Sequence, residues 1–196
     1  IYGVIYMKKI IFIRHGKTEG NIAGRYIGRT DEPLAKAGID ELSGRKYPRA
    51  DAVISSPMKR CVQTAGIIYP KMEIITYNDL RECDFGYFEN KTNAQLKTDP
   101  TYIKWIENAG RIPFPGGENA ADFSERASAA FEQALIENNA QTLAFTVHGG
   151  IIMALMERYC EEKRTFYEWY VKNGGGYICK WDEDTKCLNK LEDLLF

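Results

Sequence analysis

Arg14-His15-Gly16 closes the apolar run Ile10-Ile11-Phe12-Ile13, and His148, the chain's only other histidine, closes a second apolar run from Thr142 to Val147 ahead of Gly149-Gly150. An imidazole with its ordinary pKa of about 6.5 is a competent nucleophile near neutral pH. A phosphoryl group resists such attack because its negative charge repels the incoming electron pair. Guanidinium forks lift that obstacle by pairing bidentately with its oxygens. Arg14 is one such fork, and Arg60, just beyond Ser55-Ser56-Pro57, supplies a second from a neighbouring strand end. The amides of Gly149 and Gly150, at the opening of a helix, add donors and a favourable dipole for an anion. Lys17, Thr18 and Asn21 follow His15 within a turn or two and are candidates for the same wall.

These groups meet only if the elements that carry them are neighbours. Short runs rich in β-branched residues recur at 9–13, 52–54, 73–76, 142–147 and 177–181, each the length of a buried strand. Helical patterns fill the gaps. Residues 57–69 carry Met58, Cys61, Val62, Ala65 and Ile68 about one turn apart, with Pro57 at the predicted helix start after the capping residues Ser55-Ser56. Residues 120–138 place Phe123, Ala127, Ala130, Phe131, Ala134 and Leu135 on one stripe, and Glu118 is the predicted cap of that helix. Such alternation predicts an α/β fold, a three-layer αβα sandwich whose mostly parallel central sheet has helices on both faces. Ligands bind such sheets where strands end and the chain turns to a helix, so two parallel neighbours would bring His15 and His148 to one pocket. Residues 80–117, rich in Pro, Gly and aromatics, interrupt the rhythm and read as a cap-like insertion in a single domain spanning 1–196.

Length and composition narrow the functional classes. A chain of 196 residues can bury roughly 70% of its unfolded surface, enough for a core without metal or disulfide staples. Lys plus Arg number 26 against 27 Asp plus Glu, which excludes the basic footprint of a nucleic-acid-binding domain. Any anion site is therefore local. Cys61, Cys83, Cys160, Cys179 and Cys187 form an odd set without a C-x-x-C pair, which suits a reducing, cytoplasmic setting and suggests no cysteine metal site. No apolar run is long enough to cross a bilayer, so no membrane partner is expected. Residues 1–6 are too short for a signal peptide and read as an upstream extension, an expression remnant or an added strand ahead of Met7-Lys8-Lys9.

Five blocks in order carry a resemblance. Ile11 to Asn21 (IFIRHGKTEGN), Ser55-Ser56-Pro57 with Arg60 and Thr64-Ala65, Leu80-Arg81-Glu82 with Phe85-Gly86, Pro115-Gly116-Gly117-Glu118, and His148-Gly149-Gly150 together resemble the histidine phosphatase superfamily, also called phosphoglycerate-mutase-like. The resemblance spans nearly the whole chain. It implies that His15 is phosphorylated, that Arg14, Arg60 and His148 hold the phosphoryl oxygens, and that Glu82 protonates the leaving oxygen. Thr18, Asn21 and Gly149 are the expected substrate-binding residues, and no metal or cofactor is implied.

Within the superfamily, Tyr26 to Leu34 (YIGRTDEPL) and Asp84 to Asn90 (DFGYFEN) resemble alpha-ribazole phosphatases of cobalamin nucleotide-loop assembly. The expected partner is accordingly a small-molecule phosphomonoester. Asn90 stands where relatives commonly carry Gly, and Glu41 where Gln often follows the turn at Gly38. Two alternatives remain open: a mutase-type phosphotransferase that returns the group to a phosphoglycerate, and a phospho-ligand-binding protein whose catalysis has decayed.

Overall fold

The computed structural model describes residues 7–110 and 112–196, so the expectation for residues 1–6 lies outside the described residues. Among the described residues six strands form one sheet: β1 (Met7–Arg14), β2 (Ala52–Ser55), β3 (Ile74–Thr76), β4 (Thr142–Val147), β5 (Gly176–Asp182) and β6 (Cys187–Leu194), in the order β3-β2-β4-β1-β5-β6. The first four positions are parallel, and β5 and β6 run antiparallel at one side. Among the described residues there are seven α-helices: α1 (Glu19–Ile22), α2 (Lys36–Ser43), α3 (Lys59–Ile68), α4 (Asn93–Leu96), α5 (Pro100–Glu107), α6 (Ala120–Glu137) and α7 (Gly149–Tyr159).

Successive strand residues point to opposite faces, and β1 shows why both faces need covering. Ile10 and Phe12 pack with the apolar stripe of α6 and with Ile151, Ile152 and Leu155 of α7. Ile11 and Ile13 pack on the other face with Ala65 of α3 and with Val53 and Ala144. All four β1 side chains are fully buried. Phe12, Phe131 and Phe145 form a triangle with ring centroids 5.3 to 5.7 Å apart, so β1 is anchored two residues before Arg14. Truncation of a ring in such a place costs about 3–5 kcal/mol.

The register settles where the chemistry lies. Parallel pairing of β1 with β4 sets Arg14 opposite Val147, and His15 N donates to Val147 O at 2.9 Å. His15 and His148 therefore leave adjacent strands at the same level. The described residues between 80 and 117 include α4, α5 and one short 3-10 turn (Gly86–Phe88) around Phe88, Leu96, Tyr102 and Trp105, a largely aromatic cluster distinct from the two that sandwich the sheet.

Three details differ from the sequence expectations. Helix α3 starts at Lys59 and has no side-chain cap, because Ser55 Oγ donates to the carbonyls of Ser56 and Thr146 while Ser56 Oγ lies against His148. Helix α6 is capped by Asn119, whose side chain accepts from Asp122 N. Glu118 instead receives the Arg126 guanidinium on both oxygens, at 2.6 and 2.8 Å. Strand β6 lay outside the expectations altogether.

Candidate active site

Strand β1 delivers Arg14 and His15 into the turn that Gly16 opens, where the Gly16 amide donates to Thr64 Oγ1 at 3.0 Å and so ties the turn to α3. The rings of His15 and His148 lie 5.2 Å apart and nearly edge to face. His15 is only 3% exposed and His148 is fully buried. His15 Nδ1 lies 2.7 Å from Gly16 O. A carbonyl can only accept, so Nδ1 carries the proton and Nε2 is left with its lone pair. Burial, then the Arg60 and Arg14 charges, hold His15 well below the ordinary imidazole range. The ring is thereby kept neutral and nucleophilic.

His148 is held from the other side. Its Nε2 lies 2.8 Å from Ser56 Oγ, and the buried Cys61 thiol sits 3.5 Å from the same nitrogen. Ser56 Oγ also accepts the Met58 amide at 3.4 Å, and its own proton is assigned to Nε2. That assignment of the hydrogen-bond network leaves Nδ1 as the donor. Burial, Arg60, His15 and Arg14 push His148 well below its usual range, so the ring is a neutral donor at physiological pH.

The two guanidinium groups are fixed by backbone carbonyls. Arg14 Nη1 donates to Val171 O at 2.8 Å, and its guanidinium carbon stands 5.4 Å from the Tyr170 ring centre. Arg60, fully buried, donates from Nη1 to Thr30 O at 2.7 Å and from Nη2 to Gly28 O at 2.9 Å. Among the described residues neither forms an ion pair with a carboxylate. The buried Nε of each has no partner either. Burying a cation without a counter-ion is costly. An arrangement that fixes two of them beside neutral imidazoles is built to receive an anion from outside.

Glu82 completes the set. Its Oε1 accepts from Cys83 N at 2.9 Å and its Oε2 from Gly150 N at 3.0 Å. Burial raises its pKa above the usual carboxylate value, against the two amide bonds and the charges of Arg60 and Arg14. A carboxyl poised upward in this way suits proton donation. The Gly150 amide, expected to face an anionic ligand, faces Glu82 instead, while Gly149 lies against Arg14.

The remaining expected residues are held by hydrogen bonds of their own. Thr18 is fully buried, and its hydroxyl accepts Asn21 N at 3.2 Å in a capping box that starts α1. Asn21 Oδ1 takes Thr18 N and Asn173 Nδ2, at 3.2 and 3.1 Å. Lys17 turns to Glu41 at 2.6 Å, so the acidic residue at that position draws it out of the wall.

Several residues that shape the site carried no signal of their own. Asn173 Nδ2 donates to His15 O at 3.0 Å, yet it sits before a run of three glycines in a loop far along the chain. Arg126 donates to the carbonyls of Asp79, Arg81 and Glu82 and so holds the main chain under Glu82. Its place on the polar side of an amphipathic helix resembles that of any solvated arginine. Among the described residues no group of three or more His, Cys, Asp or Glu side chains has the arrangement of a metal site, and no helix is long and apolar enough to cross a membrane.

Comparison with known proteins places this geometry. A crystal structure of the alpha-ribazole phosphatase from Shigella flexneri superposes with a TM-score of 0.80 over 95% of each chain at 22% identity, a likeness of fold. By sequence, phosphoserine phosphatase 1 of Hydrogenobacter thermophilus is 29% identical over 150 residues, 72% of this chain and 71% of that protein. A Proteus mirabilis protein named "Probable phosphoglycerate mutase GpmB" is 34% identical over 139 residues, 66% of this chain and 64% of its own. The sequence profile of the histidine phosphatase superfamily (branch 1) matches residues 10–194, and the chain belongs to that family.

Proposed function

We propose that this protein is a phosphomonoester hydrolase working through a phosphohistidine on His15, with alpha-ribazole 5'-phosphate as its leading substrate. The observation that carries the reading is the pair of carbonyl-fixed guanidinium groups without carboxylate partners, flanking two imidazoles 5.2 Å apart.

In the first half-reaction the lone pair on His15 Nε2 attacks phosphorus and the bond from phosphorus to the leaving oxygen breaks. Glu82 gives its proton to that oxygen. Arg14, Arg60 and Nδ1–H of His148 hold the equatorial oxygens, whose charge is largest in the transition state. In the second half-reaction water attacks phosphorus, the phosphorus–nitrogen bond breaks back to His15, and ionised Glu82 takes the water's proton. Splitting the displacement in two gives each step a better nucleophile or a better leaving group.

The substrate assignment is supported by the fold likeness to the Shigella flexneri enzyme and by an aromatic residue near the centre. Tyr170 is 60% exposed beside Arg14, while the aromatic cluster of residues 80–117 is buried within itself. An open aromatic ring beside a guanidinium suits an organic leaving group. The name of the Proteus mirabilis relative supports a second reading, in which phospho-His15 returns its group to a phosphoglycerate.

Turnover by chelator-treated protein of alpha-ribazole 5'-phosphate, phosphoserine, phosphoglycerates and an aryl phosphate separates these readings. Phosphate release with acid-labile label on His15 is expected. Isomer interconversion without release would favour the mutase, and ligand binding without any turnover would favour a binding protein.

A further inference from the structure

The turn from Gly28 to Thr30 has two polar faces, and both are occupied. Its carbonyls face α3 and receive the Arg60 guanidinium, Nη2 on Gly28 O and Nη1 on Thr30 O. Its amides face the other way, onto Glu89. Oε1 of that residue accepts from Gly28 N, Thr30 N and Thr30 Oγ1, each at 2.9 Å. Side chain, turn and guanidinium are thus joined in series. The turn is also confined laterally, because a Cβ on Gly28 would strike the carbonyl of Cys83, the residue after Glu82, and press on Glu89 Oε2. Asn90 adds a last tie, donating from Nδ2 to Thr30 Oγ1 at 2.9 Å.

Among the described residues Arg60 has no carboxylate ion-pair partner to fix its plane. Its orientation is set by two carbonyls, and the carbonyls are set by the carboxylate behind them. Glu89 does this work without contact with the guanidinium, so its negative charge is kept at one remove and does not compete with the incoming anion.

We propose that Glu89 is a positioning residue for phosphoryl transfer: its carboxylate anchors the Gly28–Thr30 turn, whose carbonyls hold the Arg60 guanidinium in the orientation that receives the phosphoryl group. The proposal rests on the phosphohistidine reading above. A displacement on the order of 1 Å in such a group lowers turnover by up to about 100-fold.

The test compares wild type, E89A, E89Q, E89D, R60A and the double variant E89A/R60A by turnover of an aryl phosphate and by calorimetric titration with inorganic phosphate. E89A is expected to lower kcat by about 10- to 100-fold and to weaken phosphate binding. E89Q, which keeps an oxygen acceptor on the turn, is expected to recover most of both. E89D keeps the charge and withdraws it from the amides, so it is expected to behave as E89A does and carries the test should E89A fail to fold. In the R60A background the Glu89 substitution is expected to have no further effect. Full additivity in the double variant, or an unaltered phosphate affinity in both E89A and E89D, would overturn the proposal while wild-type turnover left the phosphohistidine reading intact. A wild-type chain that neither turned over the ester nor bound phosphate would overturn both.

Discussion

The backbone amide of Gly150 donates to Oε2 of Glu82 at 3.0 Å, so the candidate acid sits on the first turn of the helix that His148 opens. Acid and phosphoryl-binding histidine are thereby set by one element. A Cβ on residue 150 would land on Glu82 Oε1, and the flexible carboxylate would have to give way. Gly150→Ala is therefore expected to keep the fold and displace the acid. Like Glu82→Gln, it should slow esters with poor leaving groups at least ten times more than aryl esters, by the usual 10²–10⁴-fold worth of a positioned acid. Equal slowing of both ester types, measured as kcat/KM across a leaving-group series, would remove Glu82 from the acid role.

The pH dependence follows from two opposite shifts. Burial and two arginines lower His15, so the nucleophile stays unprotonated below the ordinary imidazole range. Burial raises Glu82, so the acid keeps its proton above the ordinary carboxylate range. Activity is expected to fall at low pH as His15 is protonated, and to fall again as pH rises through the raised pKa of Glu82. The profile is accordingly bell-shaped, bounded on the acid side by His15 and on the alkaline side by Glu82. Glu82→Gln should abolish the alkaline limb and leave the acidic one in place, as read from a kcat/KM profile with an ester whose leaving group is poor.

Much of this centre is legible in the chain, and the reason is local. Apolar runs ending at Arg14 and at Val147 mark strand ends, and parallel α/β sheets place ligands at such ends, so the convergence of two histidines follows from pattern alone. Side-chain hydrogen bonds are another matter. Ser55-Ser56 before Pro57 has the composition of a helix cap, but the tertiary position of His148 claims Ser56. Thr18 reads as a wall residue, and the capping box its hydroxyl makes with Asn21 N is not part of that reading. Strand β6 has three exposed residues in succession and pairs with β5 through a register shift at Ile178/Cys179, which erases the alternation a strand would otherwise show. Glu89 and Arg126 act on the backbone of other segments, and nothing in their neighbours in sequence reveals it.

Ser56 offers a direct test of the His148 tautomer. Ser56→Ala removes the hydroxyl whose proton is directed to Nε2, and the neutral ring is then free to carry its proton on either nitrogen. Loss of one transition-state donor costs up to about 10²–10³ in kcat. The loss here should be smaller, about 10-fold, because the ring is still packed. Stability should change by about 1 kcal/mol, the worth of one hydrogen bond. Nitrogen-resolved NMR of His148 should show Nδ1 protonated in the wild type and a mixture in the variant.

Asn90 occupies a left-handed conformation, with φ of 62°. That explains why Gly and Asn suit the position: Gly lacks the Cβ that makes this region costly, and Asn tolerates it. Asn90→Ala is expected to destabilise the protein by about 1–2 kcal/mol. Asn90→Gly should relieve the backbone and lose only the bond to Thr30 Oγ1, leaving stability within about 0.5 kcal/mol of wild type. Denaturant midpoints of the two variants decide between this and a purely side-chain role.

Arg14 and Arg60 together predict a large stabilisation by inorganic phosphate. Each is fixed by carbonyls, and among the described residues neither has a carboxylate ion-pair partner. A dianion that binds only the folded chain stabilises it by about 2.7 kcal/mol at a concentration 100-fold above Kd. For a chain of this size each kcal/mol raises Tm by about 2–4 °C, so a rise of about 5–10 °C is expected. Chloride at matched ionic strength should give little, because screening alone does not supply bidentate acceptors. Arg60→Ala removes one fork and leaves Gly28 O and Thr30 O without their donor, so it should lower the Tm without phosphate and should remove most of the phosphate-induced shift. A Tm shift of equal size in wild type and R60A would show that phosphate binds elsewhere and that the paired guanidinium groups are not the anion site.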